Sequence, residues 1–103
     1  AADGGEAVAA FNLGRIYLYG EGSIAINGKL AEQYLLQASK GLIVEAMVLL
    51  GKQKFFGWGG IEINYDQAEH WFSQATLYRQ EAVAFYYLGR IYMEGLKGTK
   101  DQK

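Results

Sequence analysis

Hydrophobic positions near the start of the chain recur with the period of an α-helix. Ala9, Leu13 and Tyr17 stand at i, i+4 and i+8, and Ile16 falls on the same face. Gly20 follows, in a position where a glycine in the left-handed conformation commonly ends a helix. The pattern predicts an amphipathic helix, called helix A, that buries this face and ends at Gly20.

A second apolar stripe follows a glycine-rich loop. Its members share one helical face at i, i+3, i+4 and i+7: Ala31, Tyr34, Leu35 and Ala38. The opposite face is polar, with Glu32, Gln33 and Gln37. Asn27 precedes the stripe and suits the N-cap, because its side-chain oxygen can accept a hydrogen bond from a free backbone N–H. These residues predict a second helix, called helix B.

Both blocks return about 37 residues later, and helix A returns a third time. Leu-Gly pairs end at Gly14, Gly51 and Gly89, which are 37 and 38 residues apart. The other recurring residues of helix A and its loop are Ala9, Ala46 and Ala84, then Gly20, Gly57 and Gly95. Helix B recurs at Asn64, Ala68, Trp71, Phe72 and Ala75, and either Asn64 or Asp66 suits the N-cap of this copy. Self-similarity at a fixed period of this length is typical of stacked helical repeats.

The glycines of the Leu-Gly pairs stand inside a predicted helix. Glycine there costs roughly 1 kcal/mol relative to alanine. Its presence in all three copies, at Gly14, Gly51 and Gly89, predicts that another helix approaches too closely for a Cβ atom.

The combined pattern, Ala-x-x-x-Leu-Gly-x-x-Tyr-x-x-Gly followed by Ala-x-x-Tyr/Trp-x-x-x-Ala, resembles the Sel-1-like repeat, a relative of the tetratricopeptide repeat. The resemblance implies an all-α fold: an αα-superhelix, a right-handed solenoid of antiparallel helix pairs. It also implies a non-enzymatic scaffold whose concave face binds another protein or a peptide. Such repeats occur in bacterial envelope and periplasmic assemblies, including those of exopolysaccharide secretion. Lys54 departs from the pattern where Tyr17 and Tyr92 stand, and Tyr78 replaces the glycine that closes helix B, so we expect a restructured corner there.

The repeat divides the chain into segments. We expect residues 1–5 to end a preceding repeat, residues 6–41 and 42–79 to form full repeats, and residues 80–103 to begin another. Such a slice of a longer array would expose apolar residues at Leu88, Ile91 and Tyr92. We therefore expect either a marginally stable monomer or an end-to-end or swapped dimer through the truncated repeat ends.

Charge and composition exclude several classes of partner and cofactor. The 103 residues carry 10 basic and 11 acidic side chains, a net charge of −1. The overall charge therefore gives the chain no general electrostatic attraction to nucleic acid. The absence of cysteine excludes disulfides and thiolate metal sites. No apolar run approaches the ~18 residues of a membrane span, so we expect no membrane insertion.

None of the residues that resemble catalytic or cofactor motifs has the partners or the spacing that such a site requires. Gly22 and Gly28-Lys29 superficially resemble a phosphate loop, but Leu30 stands where a magnesium-binding hydroxyl is needed. His70, the single histidine, is expected to form an exposed pair with Asp66. Glu62 and Asp66 lack any predicted cleft in which to act as paired carboxylates. We expect no enzyme activity, no metal and no cofactor.

The far side of helix A offers the best candidate for a protein-binding surface. In the first copy it carries Phe11, Arg15 and Leu18. The equivalent positions are Val48, Lys52 and Phe55 in the second copy, and Tyr86, Arg90 and Met93 in the third. Stacked repeats would align these residues into a basic ladder between two apolar strips, which could dock a segment carrying carboxylates. The competing interpretation is inter-repeat packing for the apolar residues and a solvated face for the basic ones.

Trp58 lies between glycines, where its ring could contact a partner or fold back over the helix ends. An alternative function, a polysaccharide- or peptidoglycan-binding module, would use Trp58, Tyr65 and other tyrosines.

Overall fold

The computed structural model describes residues 4–97 of the chain. Of the residues expected to end a preceding repeat, 1–5, residues 1–3 lie outside this range, and Gly4 and Gly5 belong to the first helix instead. The last residues of the partial repeat expected at 80–103, from residue 98 onward, also lie outside it. Five α-helices make up the fold: α1 (Gly4–Tyr19), α2 (Gly28–Lys40), α3 (Val44–Phe56), α4 (Tyr65–Tyr78) and α5 (Ala82–Met93). Between residues 4 and 97 there is no strand, only one isolated β-bridge joining Glu21 and Ile24. The all-α prediction is confirmed.

Helices α1 and α2 form an antiparallel pair. The start of α1 meets the end of α2, where Ala7 contacts Gly41, and the Asn27 N–H donates to the Tyr17 carbonyl at 2.8 Å at the opposite end. Helices α3 and α4 pair in the same way, because the Asn64 N–H donates to the Lys54 carbonyl at 2.9 Å. Helix α5 then packs on α4 as the next helix A. The order is that of a helical-repeat solenoid.

The predicted helix ends are confirmed. The Asn27 side chain accepts a hydrogen bond from the Leu30 N–H, and the Asn64 side chain accepts one from the Gln67 N–H. The glycines after the A helices have positive φ angles: 74° at Gly20, 73° at Gly57 and 65° at Gly95. Glycine adopts this conformation without the steric cost that a Cβ atom brings.

The glycines inside α1 and α3 mark close helix contacts, as the sequence predicts. A Cβ atom on Gly14 would lie 2.8 Å from the Leu35 side chain in α2. On Gly51 it would lie 2.7 Å from the ring of Phe72 in α4. At Gly89 nothing lies within 4 Å, because no described helix B covers that face of α5.

Two hydrophobic cores meet at α3. Ala46 and Leu50 of α3 pack with α1 and α2, whereas Met47 and Phe55 pack with α4 and α5. Helix α3 thus has two packing faces, one toward its own helix B, α4, and one toward the helix B of the preceding repeat, α2. Burial of both faces makes α3 the shared centre of the structure.

The prediction for the buried face of α1 is partly wrong. Of its four residues, Ile16 and Tyr17 are half-buried, and Tyr17 packs against the core that α1 shares with α2. Ala9 is exposed and Leu13 is 37% exposed, whereas Ala10 and Leu18 are buried against α2. The equivalents of Ala9 and Leu13 in the next repeat, Ala46 and Leu50, are fully buried because α2 covers them. Within the described residues no helix covers the same face of α1.

The expected exposure at α5 is also partly wrong. Ile91 is fully buried and Leu88 packs against the second core, so Tyr92 alone of the three expected residues is exposed. The exposed apolar residues of α5 lie on its other face, at Phe85, Tyr86 and Met93. That face corresponds to the one by which α3 packs on α4.

Candidate protein-binding surface

A groove runs along the exposed side of the A helices. It has a volume of about 290 Å³. Its lining comes from α1, α3 and the start of α5: Phe11, Arg15, Tyr19, Glu45, Val48, Leu49, Glu81 and Val83. The floor is apolar, and the charged side chains stand along it. The structure therefore brings predicted residues from two repeats, Phe11, Arg15 and Val48, into one site.

Arg15 is an exposed cation in this groove. Its guanidinium carbon lies 5.5 Å above the centre of the Phe11 ring, a distance at which the ring face attracts a cation. Among residues 4–97, no carboxylate lies within salt-bridge distance of Arg15 or Lys52. Both side chains are therefore able to pair with an acidic group on another molecule.

The groove's two carboxylates are already paired with a cation. The Arg79 guanidinium donates to Glu45 at 2.7 Å and to Glu81 at 2.5 Å. The hydrogen bond from Arg79 lowers the pKa of Glu45 below its ordinary value. This pairing offsets the acidic charge at one end of the groove and leaves Arg15 as the cation without an acidic partner.

Aromatic rings continue the surface beyond the groove. Phe56 is the equivalent of Tyr19 one repeat later, and its ring lies 5.7 Å from that of Tyr87 in α5. Tyr86, which is 59% exposed, lies 4.9 Å from Tyr87. Arg90 lies 5.1 Å above Phe55 and pairs with Glu94 at 3.1 Å, so this member of the basic ladder is already engaged.

Three predicted apolar strip residues are largely buried. Val48 is 8% exposed, so it contributes only a small part of its surface to the floor of the groove. Leu18 is 3% exposed and Phe55 is 5% exposed, because each faces the helix B of its own repeat. The third equivalent, Met93, is 88% exposed. The sequence interpretation assigned helix A one buried face, whereas a helix inside a stack of repeats has two.

Several groove residues were missed from the sequence. Tyr19 lies at the end of one A helix, and Glu45, Glu81 and Val83 lie at the starts of the next two, whereas Leu49 lies in the middle of α3. Only the offset between successive repeats brings these residues together. A partial signal existed, because Glu45 and Val83 occupy equivalent positions of successive repeats. The spacing alone does not show which ends meet.

The other candidate side chains lie away from the groove. Trp58 is half-buried, and its ring stacks on Phe56 at 5.3 Å. Tyr65 packs edge-on against Phe55 at 5.3 Å. His70 is exposed and contacts Trp71 edge-on at 4.8 Å.

The described part of the chain carries neither a metal-ligand cluster nor a membrane-spanning helix. No group of three or more His, Cys, Asp or Glu side chains there could hold a metal ion. None of its helices is long and apolar enough to cross a bilayer.

Comparison with known proteins agrees with the observed repeat. A family model described as Sel1 repeat matches residues 7–41, 44–77 and 82–103. Among solved structures, the chain is similar to a Sel1 repeat protein from Oxalobacter formigenes, with 28% identity and a TM-score of 0.75. That similarity covers 86% of this chain and 35% of the other protein. No curated protein matches the chain. Three successive family matches over a stack of helix pairs show that the chain belongs to the Sel1 repeat family.

Proposed function

We propose that this chain is a non-enzymatic scaffold that binds a segment of another protein in the groove lined by α1, α3 and the start of α5. Sel1 repeats generally mediate protein interactions, which supports the class of function. The observation that carries the choice of surface is the apolar groove beside Arg15, a cation with no acidic partner among the described residues.

The expected ligand is a short segment with an apolar side chain and a nearby carboxylate. The apolar group would cover Val48 and the Phe11 ring, and the carboxylate would pair with Arg15. Lys52, one helical turn after Val48 on α3 and outside the groove lining, is the second candidate cation. A guanidinium–carboxylate pair is directional because two N–H groups can donate side by side. The groove is too small for a folded domain, so a peptide segment fits it best.

Charge reversal tests this surface. Peptides selected for binding to the protein are titrated by calorimetry against the wild type and against Arg15→Glu/Lys52→Glu. We expect the double variant to weaken affinity at least about tenfold, equivalent to about 1.4 kcal/mol. The control, Lys29→Glu/Lys40→Glu, makes the same change in net charge on α2 and should leave affinity within about twofold. Equal weakening in both variants would indicate a general charge effect and would refute a specific groove.

Placement of the scaffold in a bacterial envelope assembly, such as one for exopolysaccharide secretion, is a further part of the proposal. Its support is the resemblance to families of scaffolds found there. Fractionation of the native source tests it, because an envelope scaffold should appear with the periplasmic or membrane-associated fraction.

A further inference from the structure

A second cavity lies at the junction of the first two repeats, at the edge where A helices end and B helices begin. Its volume is about 370 Å³, within the range of small-molecule sites. Its polar lining consists of Lys29, Glu32, Lys54, Glu62, Asn64 and Gln67. None of these residues belongs to the groove of the proposed function.

Lys54 is the residue that distinguishes this junction. The equivalent residue at the next junction, Tyr92, donates its hydroxyl to Glu69 at 2.6 Å. Lys54 donates its ammonium to Glu32 at 2.5 Å, and Glu32 is the equivalent of Glu69. A neutral tyrosine therefore makes the same link between repeats, and the structural link does not require a positive charge.

The positive charge of Lys54 carries a desolvation cost, because the side chain is mostly buried. Its side chain is only 10% exposed, and Glu32 is 29% exposed. The free-energy cost of removing two charges from water offsets much of the Coulomb attraction between them. A buried ion pair therefore adds little stability compared with a neutral hydrogen-bonded pair. The positive charge that Lys54 brings to the lining of this cavity is therefore not needed for packing and can serve a ligand.

The loop that walls the cavity is held in place. The Gln53 side-chain amide donates to the Gly28 carbonyl at 2.8 Å and to the Trp58 carbonyl at 3.4 Å. A Cβ atom on Gly28 would lie 2.6 Å from the Gly59 carbonyl oxygen, so loop and helix start are in direct contact. Gln53 replaces the isoleucines of the other repeats, Ile16 and Ile91. The cavity is therefore preformed rather than assembled by a ligand.

We propose that this cavity binds a small zwitterion that carries a carboxylate and an ammonium group, such as a free amino acid or a dipeptide. Lys29 and Lys54 supply two cations for the carboxylate, and Glu32 and Glu62 supply two carboxylates for the ammonium, with Lys54 and Glu32 sharing their existing ion pair with the ligand. The amides of Asn64 and Gln67 can hydrogen-bond the remaining polar atoms. The balance of two positive and two negative groups favours a zwitterion over a simple anion or cation.

The test is an NMR titration of the isotopically labelled protein with L-alanine and with L-alanyl-L-alanine. We expect saturable shifts of the Lys54, Ile61 and Gln67 amides, with a Kd of about 1 mM or below for at least one probe. N-acetyl-L-alanine amide, which lacks both charges, should cause no saturable shift. Absence of saturation by both zwitterions at ~20 mM, or equal binding of the blocked compound, would overturn the proposal.

Two variants separate ligand binding from structure. Lys54→Tyr installs the residue of the other repeats, and we expect it to fold normally and to lose binding at least about tenfold. Lys40→Met, the control, removes an exposed cation of α2 outside the cavity and should bind as the wild type does. Glu62→Gln, in the exposed loop, should weaken binding several-fold without disturbing the helices. Wild-type affinity in both Lys54→Tyr and Glu62→Gln would also overturn the proposal.

Discussion

At the scale of single residues, position in the repeat does not by itself decide burial. Gly51 and Gly89 occupy equivalent positions of successive A helices, yet a Cβ atom would meet the Phe72 ring at the first and open space at the second. Leu18 and Met93 differ in the same way, at 3% and 88% exposure. The decisive difference is whether a helix B covers that face.

This difference predicts opposite effects of the same substitution. Gly51→Ala should lower the free energy of unfolding by about 1–2 kcal/mol, because overpacking against Phe72 outweighs the gain in helix propensity. Gly89→Ala should raise it by about 0.5–1 kcal/mol, because the propensity gain meets no steric cost. Urea denaturation of both variants checks the pair. A stabilising Gly51→Ala would contradict the close contact between α3 and α4.

At the scale of helices and corners, the two turns from helix B to helix A differ for a steric reason. After α2, Gly41 fits where a Cβ atom would lie 2.4 Å from the Ala7 Cβ. After α4, Tyr78 takes the glycine's place, and the chain leaves the helix in an extended conformation at Arg79. The predicted restructuring of this corner is therefore confirmed. Arg79 links the corner to the start of α3 through Glu45.

The Arg79–Glu45 link predicts a pH dependence. The hydrogen bond from Arg79 places the pKa of Glu45 in the folded protein below its ordinary value of 4.5. The stabilisation is therefore fully present above about pH 4.5 and is lost as the pH falls through the lowered folded pKa. Because the Glu45 side chain is 55% exposed, the effect should be only on the order of 0.5 kcal/mol.

Thermal unfolding between pH 6 and pH 3 measures this link. Glu45→Gln should be slightly less stable than the wild type at pH 6 and should lose less stability on acidification. Glu21→Gln, which removes an exposed carboxylate in the first loop, serves as the control. Parallel pH curves for the wild type and Glu45→Gln would show that the link does not operate in solution.

At the scale of the whole molecule, the sequence predicts the repeat better than it predicts the surfaces. The spacing of alanines and glycines predicts the helices, their caps and the close contacts at Gly14 and Gly51, because these depend on local geometry and on each repeat's own helix B. Exposure at the outer helices depends on neighbouring helices, which periodicity does not reveal. The groove depends on the stagger of α1, α3 and α5, and no pattern within one repeat encodes that stagger.

The position of α3 in both cores predicts which helices unfold locally most easily. Nine residues of α3 are buried and it belongs to both cores, whereas α5 buries only Ala84 and Ile91. In a stack of repeats, each helix is stabilised mainly by its nearest neighbours. Amide hydrogen exchange should therefore be slowest in α3 and markedly faster in α5. Uniform protection across the five helices would indicate a single cooperative unit instead.

The central claim, that the groove of the A helices receives a segment of a partner protein, is tested most directly by mapping a bound peptide on the protein. In an NMR titration with a selected peptide, we predict that the largest shifts fall at Phe11, Arg15, Val48 and Lys52, and that they disappear in Arg15→Glu/Lys52→Glu. Shifts confined to α2 and α4, with the groove amides unmoved at saturation, would contradict the account.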